Sequence, residues 1–222
     1  MLISLLVGLS FVGLTLGVWY PGPLFEVSGA IGLLSILVPV DVALGPFLTL
    51  LVYKRGKPSL VFDLSVIALL QTGALVYGAW TIAEVRPAYV VLFDKQLEVV
   101  RSMDVEKGAP WRAPLFGPEW VFVKPKPAED LLKAVLKGDL PTRDREQYQP
   151  LIAHNAELRA SMRTISDLNQ QSVKAEMSQA LIAKQIDPER VGLLPMLVRD
   201  LIVTAVFDRE SLELIAIVPT TI

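Results

Sequence analysis

The chain has 222 residues, of which 52% are hydrophobic and 20% are charged, and it contains no cysteine. A net charge of −2 and a pI near 5.5 exclude the basic surface that nucleic-acid binding requires. The lack of cysteine excludes disulfides and thiol chemistry. The mean hydropathy of +0.48 is high for a water-soluble protein. Residues 1–86 carry four basic and four acidic residues, whereas residues 87–222 carry the other 17 and 19. We therefore predict a transmembrane domain at 1–86 and a water-exposed domain at 87–222.

Three segments of the first part are long and apolar enough to cross a membrane as helices: residues 2–19, 30–52 and 60–83. None has the polar face of a water-soluble surface helix. A buried core helix is the alternative for each segment, but three in succession favour a membrane. The first segment begins at Met1 without the basic residues that open a signal peptide. We expect it to be an uncleaved span with a shortened start.

The loops between these segments predict their orientation. The short loop 53–58 contains three basic residues, and short basic loops remain in the cytoplasm. The loop 20–29 carries only Glu26 and is predicted to lie on the other side. Three spans then place the N-terminus in the cytoplasm and the second domain outside the membrane. In the inner membrane of a Gram-negative bacterium, that side is the periplasm.

Aromatic residues end the membrane segments at the predicted outer face. Trp19 and Tyr20 close the first segment and are followed by Pro21, while Trp80 lies near the end of the third. Tryptophan and tyrosine concentrate at membrane–water interfaces. We therefore expect these side chains at that level, either as anchors or as contacts to a partner.

Polar residues inside the second and third segments are costly and are candidates for a special role. Asp41 lies near the middle of its segment, where a charge costs about 2.5–3.5 kcal/mol. Gly45 and Pro46 follow and predict a kink that faces protein. Asp41 could cap this kink, contact another membrane helix or belong to a proton or ion pathway. Asp63 is predicted to stabilise the N-terminus of the third helix, and Gln71 to hydrogen-bond across helices.

The water-exposed part is predicted to be an α+β domain with one small mixed sheet. Strands are predicted at residues 88–93, 96–100, 119–124, 201–207 and 212–218, and the last two form a hairpin around 208–211. Helices are predicted at residues 128–137, 151–162 and 166–185. Asp94-Lys95 is not a typical hairpin turn, so the first two strands could instead form one longer bent strand.

Catalytic residue patterns are not recognisable in this sequence. The one histidine, His154, lies on a predicted helix, and no phosphate-binding glycine loop or zinc-ligand spacing is present. We therefore predict that the protein is not an enzyme and that it uses no cofactor and no metal.

Several motifs, taken as a set, resemble the type IV pilin accessory protein family of the TfpX/TfpZ type. They include WYPxPLF at 19–25, VDVxLGPxLTLLV at 40–52, FDLxVIALLQ at 62–71 and AxxRPxY at 83–89. Looser later features are FGP at 116–118, YxP at 148–150, LP at 194–195 and the closing hairpin with Asp208. The resemblance extends over most of the chain.

The resemblance implies an inner-membrane protein that acts as a pilin-specific chaperone or as a modulator of pilin stability and pilus assembly, without enzymatic activity. Its expected partners are the cognate type IV major pilin and membrane lipid. The candidate pilin-contact or structural residues are Trp19, Tyr20, Pro21, Asp41, Gly45, Pro46, Asp63 and Gln71. The edge strand of the closing hairpin could add to the pilin head. Alternatives are a membrane sensor or a small-molecule or ion handling protein with a periplasmic ligand domain, and a purely structural anchor.

Overall fold

The computed structural model describes residues 9–29, 31–32, 34–35, 43, 47–54, 58–105, 113–137 and 140–219. Within these residues an apolar helical part precedes a mixed β-sheet with helices packed on it. The predicted α+β domain is therefore confirmed.

The long helix, Leu60–Val85, is the one described helix that is long and apolar enough to cross a membrane. Its most apolar window has a mean hydropathy of 1.8 and is mostly exposed on the protein surface. The helix ends where Pro87 disfavours helical backbone at the preceding residue, and Arg86 accordingly has extended angles of φ −62° and ψ 147°. A second apolar helix, Leu9–Trp19, is shorter.

Three membrane-spanning helices were expected, and the described residues show one helix of membrane length. The second expected span, at 30–52, is described only at residues 31–32, 34–35, 43 and 47–52, which are helical. The first expected span, at 2–19, is described from Leu9 onward. Three spans are therefore not shown by the described residues.

The domain is built on one seven-stranded sheet with the strand order β4-β3-β1-β2-β5-β6-β7. The strands are β1 (Pro87–Phe93), β2 (Gln96–Arg101), β3 (Glu119–Phe122), β4 (Gln149–Pro150), β5 (Val191–Val198), β6 (Leu201–Asp208) and β7 (Leu214–Val218). β1 is parallel to β3 and β2 is parallel to β5, whereas the other neighbouring pairs are antiparallel. Because β1 is buried along its whole length and follows the long helix after Arg86 alone, that helix is joined directly to the interior of the sheet.

The hydrophobic core lies on both faces of the sheet because successive side chains of β1 point to opposite faces. Val90 and Leu92 belong to one cluster, and Tyr89 belongs to another. The first cluster also contains Leu24, which comes from the short helix Leu24–Val27 just after the Leu9–Trp19 helix. Burial of a leucine stabilises a fold by about 1.5–3 kcal/mol, so this segment is held firmly against the domain.

β1 and β2 form a hairpin and not one longer bent strand, which was the alternative that the sequence left open. Asp94 and Lys95 form its two-residue turn, and both have positive φ angles, of 43° and 66°. Positive φ at both central residues matches the right-handed twist of the flanking strands. The closing hairpin, β6 with β7, is confirmed.

β5 is absent from the predicted strands because its sequence contains Gly192 and Pro195, which disfavour a strand interior. The structure tolerates Pro195 because β2 pairs only with residues 196–198 of β5. Pro195 lies in register with Thr204 of β6 and beyond the paired part of β2, where its missing N–H is not needed. The two-residue strand β4 was not predicted either, and β3 ends two residues earlier than expected.

The three predicted domain helices are present, but two are shorter than expected. Ala128–Lys137 is confirmed over its full range. The segment 151–162 begins as a 3-10 turn, Leu151–His154, and continues as the helix Asn155–Ser161. The segment 166–185 contains the helix Gln171–Ala183. It is preceded by a 3-10 turn with its own capping box, formed by Thr164 and Asp167, and this local capping separates the turn from the helix.

Candidate functional site

The junction between the long helix and β1 is organised by Arg86, whose side chain is only 6% exposed. Its Nη1 donates a hydrogen bond to the carbonyl oxygen of Ala83 at 2.6 Å, and its Nη2 donates to that of Pro114 at 2.8 Å. The guanidinium carbon lies 5.6 Å from the ring centroid of Trp19, within the range of a cation–π interaction. Burial lowers the pKa of the Arg86 guanidinium, opposed by nearby Tyr20 and Glu84. Arg86 thus links both apolar helices to the domain.

Tyr20 fills the space between the two apolar helices. It is buried in a cluster with Ile82 and Leu34, and its ring meets that of Phe25 edge-on at 6.5 Å. Burial raises the pKa of the Tyr20 hydroxyl to about 12, against the opposing effect of Arg86 and a further arginine. Among the described residues this hydroxyl has no hydrogen-bond partner, so its contribution here is packing.

Trp19 attaches a loop of the domain to the end of the Leu9–Trp19 helix. Its Nε1 donates a hydrogen bond to the carbonyl oxygen of Leu115 at 3.1 Å. Two residues later Gly117 has a φ of +61°, a backbone conformation that favours glycine. A Cβ at this position would lie 3.5 Å from the Val18 carbonyl oxygen, so the loop runs against the last turn of that helix.

An apolar groove of about 570 Å³ lies beside this junction. We call it the hairpin groove. It is lined by the segment that follows the first helix, by the end of β6 with the start of β7, by Trp120 of β3 and by the segment 151–158. Its lining residues are Pro21, Gly22, Pro23, Leu24, Trp120, Leu151, Ile152, Asn155, Leu158, Phe207, Ser211, Leu212, Glu213 and Leu214. The groove therefore opens where the chain leaves its first apolar helix.

The walls of the hairpin groove are held by polar contacts outside it. Arg159 donates hydrogen bonds to the carbonyl oxygens of Arg209 and Glu210, which tie the helix Asn155–Ser161 to the β6–β7 turn. The carboxylate of Asp208 accepts from the backbone N–H of Glu210 at 2.8 Å and of Ser211 at 2.9 Å. These hydrogen bonds lower the pKa of Asp208. A groove wall braced in this way is pre-formed, which reduces the entropic cost of binding.

A second recess, of about 590 Å³, lies on the β3–β4 side of the sheet and is lined by charged and aromatic residues. Tyr89 and Tyr148 meet edge-on at 4.9 Å, and the guanidinium of Arg145 lies 5.1 Å from the Tyr89 ring centroid. Burial raises the pKa of the Tyr148 hydroxyl above its ordinary value.

His154 serves the packing of the domain. Its ring stacks on Phe122 at 4.3 Å, and its two nitrogens lie 3.1 Å from a carboxylate oxygen of Glu157 and 2.6 Å from the side-chain oxygen of Gln149. Within the described ranges, no group of three or more His, Cys, Asp or Glu residues is placed to hold a metal ion.

The sequence-predicted site residues fall into three groups: those near position 20, those on the long helix, and those that lie outside the described residues. Trp19 and Tyr20 meet at the junction, and Pro21 lines the hairpin groove. Asp63 lies at the opposite end of the long helix, in its first turn, where it accepts a hydrogen bond from the Ser59 hydroxyl at 3.2 Å.

Gln71 lies half-buried on the same helix. Asp41, Gly45 and Pro46 lie outside the described residues. Among the site residues that the structure describes, those near position 20 lie together, and Asp63 lies apart from them at the other end of the long helix.

Arg86 and Trp120 are the site residues that sequence reasoning missed. Arg86 belonged to the AxxRPxY motif and ended an apolar segment before a proline, but that pattern also fits a simple membrane anchor. Trp120 enters the hairpin groove because β3 pairs with β1, and its ring meets Phe207 edge-on at 5.9 Å. No local pattern near Trp120 predicts this pairing.

These features define an α+β protein with an apolar helix of membrane length and a pre-formed apolar groove next to the junction. The chain is 33% identical over 107 residues to the fimbrial assembly protein of serogroup E1 of Dichelobacter nodosus, which covers 47% of this chain and 41% of that protein. It is 28% identical over 212 residues to the serogroup I protein of the same organism, covering 88% and 82%. It is 33% identical over 107 residues to the protein of serogroups C1 and C2, covering 47% and 81%. The chain belongs to this family of fimbrial assembly proteins.

The expected relation to pilus assembly is thus supported, whereas the TfpX/TfpZ type in particular is not shown. The match spans less than half the length of the serogroup E1 protein. No protein-family model matches the chain, and no solved structure matches it.

Proposed function

We propose that the protein is an inner-membrane accessory protein of type IV pili that acts as a chaperone for the cognate major pilin or modulates pilin stability and pilus assembly. The observation that carries this proposal is the similarity to a fimbrial assembly protein over 88% of the chain. The role needs no catalysis. It needs a membrane location, a client surface and a rigid link between the two.

The exposed apolar surface of the long helix supports the membrane location. Leu69, Leu70, Tyr77 and Trp80 are all exposed on this helix. Because removal of such a side chain from water gains about 1.5–3 kcal/mol, a helix that is apolar all round needs lipid or neighbouring helices around it. We propose that residues 2–19 and 30–52 provide two further spans, with the N-terminus in the cytoplasm and the domain in the periplasm.

The proposed topology matches that of a pilin before assembly, which has one apolar helix and a head outside the membrane. The Arg86 link holds the domain close to the membrane, so a client helix beside the spans would present its head near the hairpin groove. We propose that this groove takes an apolar segment of the pilin head. β7, which among the described strands pairs only with β6, offers a sheet edge next to the same groove.

A charged side chain introduced at an exposed position of the groove tests whether the pilin binds there. Ile152 lines the groove and is 81% exposed, so Ile152→Arg should leave the fold intact. Ile182 is 64% exposed on the helix Gln171–Ala183 and does not line the groove, which makes Ile182→Arg the matched control. If a buried contact worth about 1.5–3 kcal/mol is lost, pilin affinity should fall about 10- to 150-fold for the groove variant alone.

The measurements are recovery of pilin with the detergent-purified full chain, together with pilin level and surface pili in cells that carry each variant. Deletion of the gene is the reference for complete loss. Equal pilin recovery by Ile152→Arg and Ile182→Arg would remove the groove from the mechanism. Unchanged pilin level and piliation in the deletion strain would overturn the pilus role itself.

A further inference from the structure

We propose that residues 113–118, which we call the interface loop, insert into the lipid headgroup–acyl boundary at the outer face of the membrane and hold the domain against the bilayer. This inference rests on the proposed membrane location of the two apolar helices and not on binding of a pilin. The partner is lipid, and the exposed apolar side chains of the loop contact it at a fixed level along the membrane normal.

The two apolar helices fix the position of the interface loop along the membrane normal. Trp19 donates a hydrogen bond to the Leu115 carbonyl oxygen at 3.1 Å, and Arg86 donates to the Pro114 carbonyl oxygen at 2.8 Å. Gly117 lies against the Val18 carbonyl, in the last turn of the first helix. The loop is therefore attached at the point where both helices end, which is the level of the membrane–water interface in the proposed topology.

The side chains of the interface loop suit that level. Leu115 is 69% exposed and Phe116 is 79% exposed, and residues 113–118 contain no charged residue. Among the described residues, neither of these two neighbouring side chains belongs to a hydrophobic core cluster. Interfacial segments carry such residues because they bury them in the acyl boundary.

The hydrogen bonding of the interface-loop backbone also suits a medium of low polarity. Unsatisfied backbone groups are expensive there because little water is available to pair with them. The carbonyls of Pro114 and Leu115 already accept hydrogen bonds from Arg86 and Trp19. Pro114 and Pro118 have no N–H to satisfy. An ordinary water-exposed loop does not need these arrangements.

Single-cysteine labelling tests the proposal directly because the chain has no native cysteine. Phe116→Cys probes the loop. Leu69→Cys, at a 74% exposed position of the long helix, is the membrane reference, and Ile182→Cys, at a 64% exposed position outside the hairpin groove, is the aqueous reference on the domain. Each full-length variant carries an environment-sensitive fluorophore and is reconstituted into vesicles of phosphatidylethanolamine and phosphatidylglycerol. Quenching by aqueous iodide is compared with quenching by nitroxide-labelled lipid.

We expect the label at position 116 to be quenched by shallow nitroxide lipid and protected several-fold from iodide relative to position 182. Iodide access at 116 equal to that at 182, with 69 protected, would overturn the lipid assignment and leave the membrane location intact. Iodide access at all three positions would instead overturn the membrane location. Protection at 116 that requires co-reconstituted pilin would assign the loop to a protein partner and overturn the proposal.

Discussion

Removal of the Arg86 side chain tests whether the junction is a structural link. Arg86→Ala deletes two charge-assisted hydrogen bonds, at 2.6 and 2.8 Å, and the contact with the Trp19 ring. Hydrogen bonds to a charged group contribute about 1.5–3 kcal/mol each and a cation–π contact about 0.5–2 kcal/mol. Removal of the buried guanidinium also removes the cost of desolvating it, which offsets part of this loss. We therefore expect the free energy of unfolding to fall by about 3 kcal/mol, just below the summed range of about 3.5–8 kcal/mol.

The assay is chemical unfolding of the full chain in detergent micelles, followed by tryptophan fluorescence. Arg86→Lys keeps the charge but cannot bridge both carbonyl oxygens in the same geometry, so it should lie between Ala and wild type. Arg163→Ala, at an exposed position, should stay within about 0.5 kcal/mol of wild type. An Arg86→Ala protein as stable as the Arg163→Ala control would refute the reasoning that Arg86 links the helices to the domain.

Three further predictions use the same unfolding measurement. Tyr20→Phe should be at least as stable as wild type because the buried hydroxyl has no partner among the described residues. Tyr148→Phe should lose about 1 kcal/mol of stability because it removes the hydrogen bond to the Thr142 carbonyl oxygen. A destabilised Tyr20→Phe would reveal a partner. Gly117→Ala should lower the free energy of unfolding by about 1–2 kcal/mol because alanine disfavours a φ of +61°. A steric clash adds nothing to this cost, because the new Cβ would lie 3.5 Å from the Val18 carbonyl oxygen. A neutral effect would show that the loop adopts another conformation. The lowered pKa of Asp208 means that its carboxylate contributes stability above its unfolded pKa of about 3.9 and loses it as pH falls through the lower folded pKa. Asp208→Asn should therefore flatten the pH dependence of unfolding below about pH 4, and an unchanged acid profile would contradict this role.

Local patterns were sufficient for much of the secondary structure. Ala128–Lys137 was predicted over its full range because acidic residues in its first turn and a glycine after it mark both ends. The hairpin β6–β7 was predicted because two apolar runs flank a short polar connection. Each of these signals depends on residues within a few positions of one another, where sequence patterns are most informative.

β5 and the hairpin groove could not be predicted because they depend on distant partners. The proline in β5 argues against a strand unless the extent of pairing with β2 is known. Trp120 and Ile152 line one groove together with Phe207 of β6, although β1, β2 and β5 lie between β3 and β6 in the sheet. Nothing near either residue in the chain carries that information.

The sequence by itself determined that the chain has an apolar first part and a charged second part. Eight charges in the first 86 residues and 36 in the remainder separate an apolar helical part from an α+β domain, because hydropathy is a property of each segment alone. Only the tertiary structure decided how the two parts are joined. The hydrogen bond from Trp19 to Leu115 closes a separation of 96 residues, and that from Arg86 to Pro114 closes 28. Such contacts follow from packing of the whole chain, so the junction, the groove and the interface loop became visible only in the folded protein.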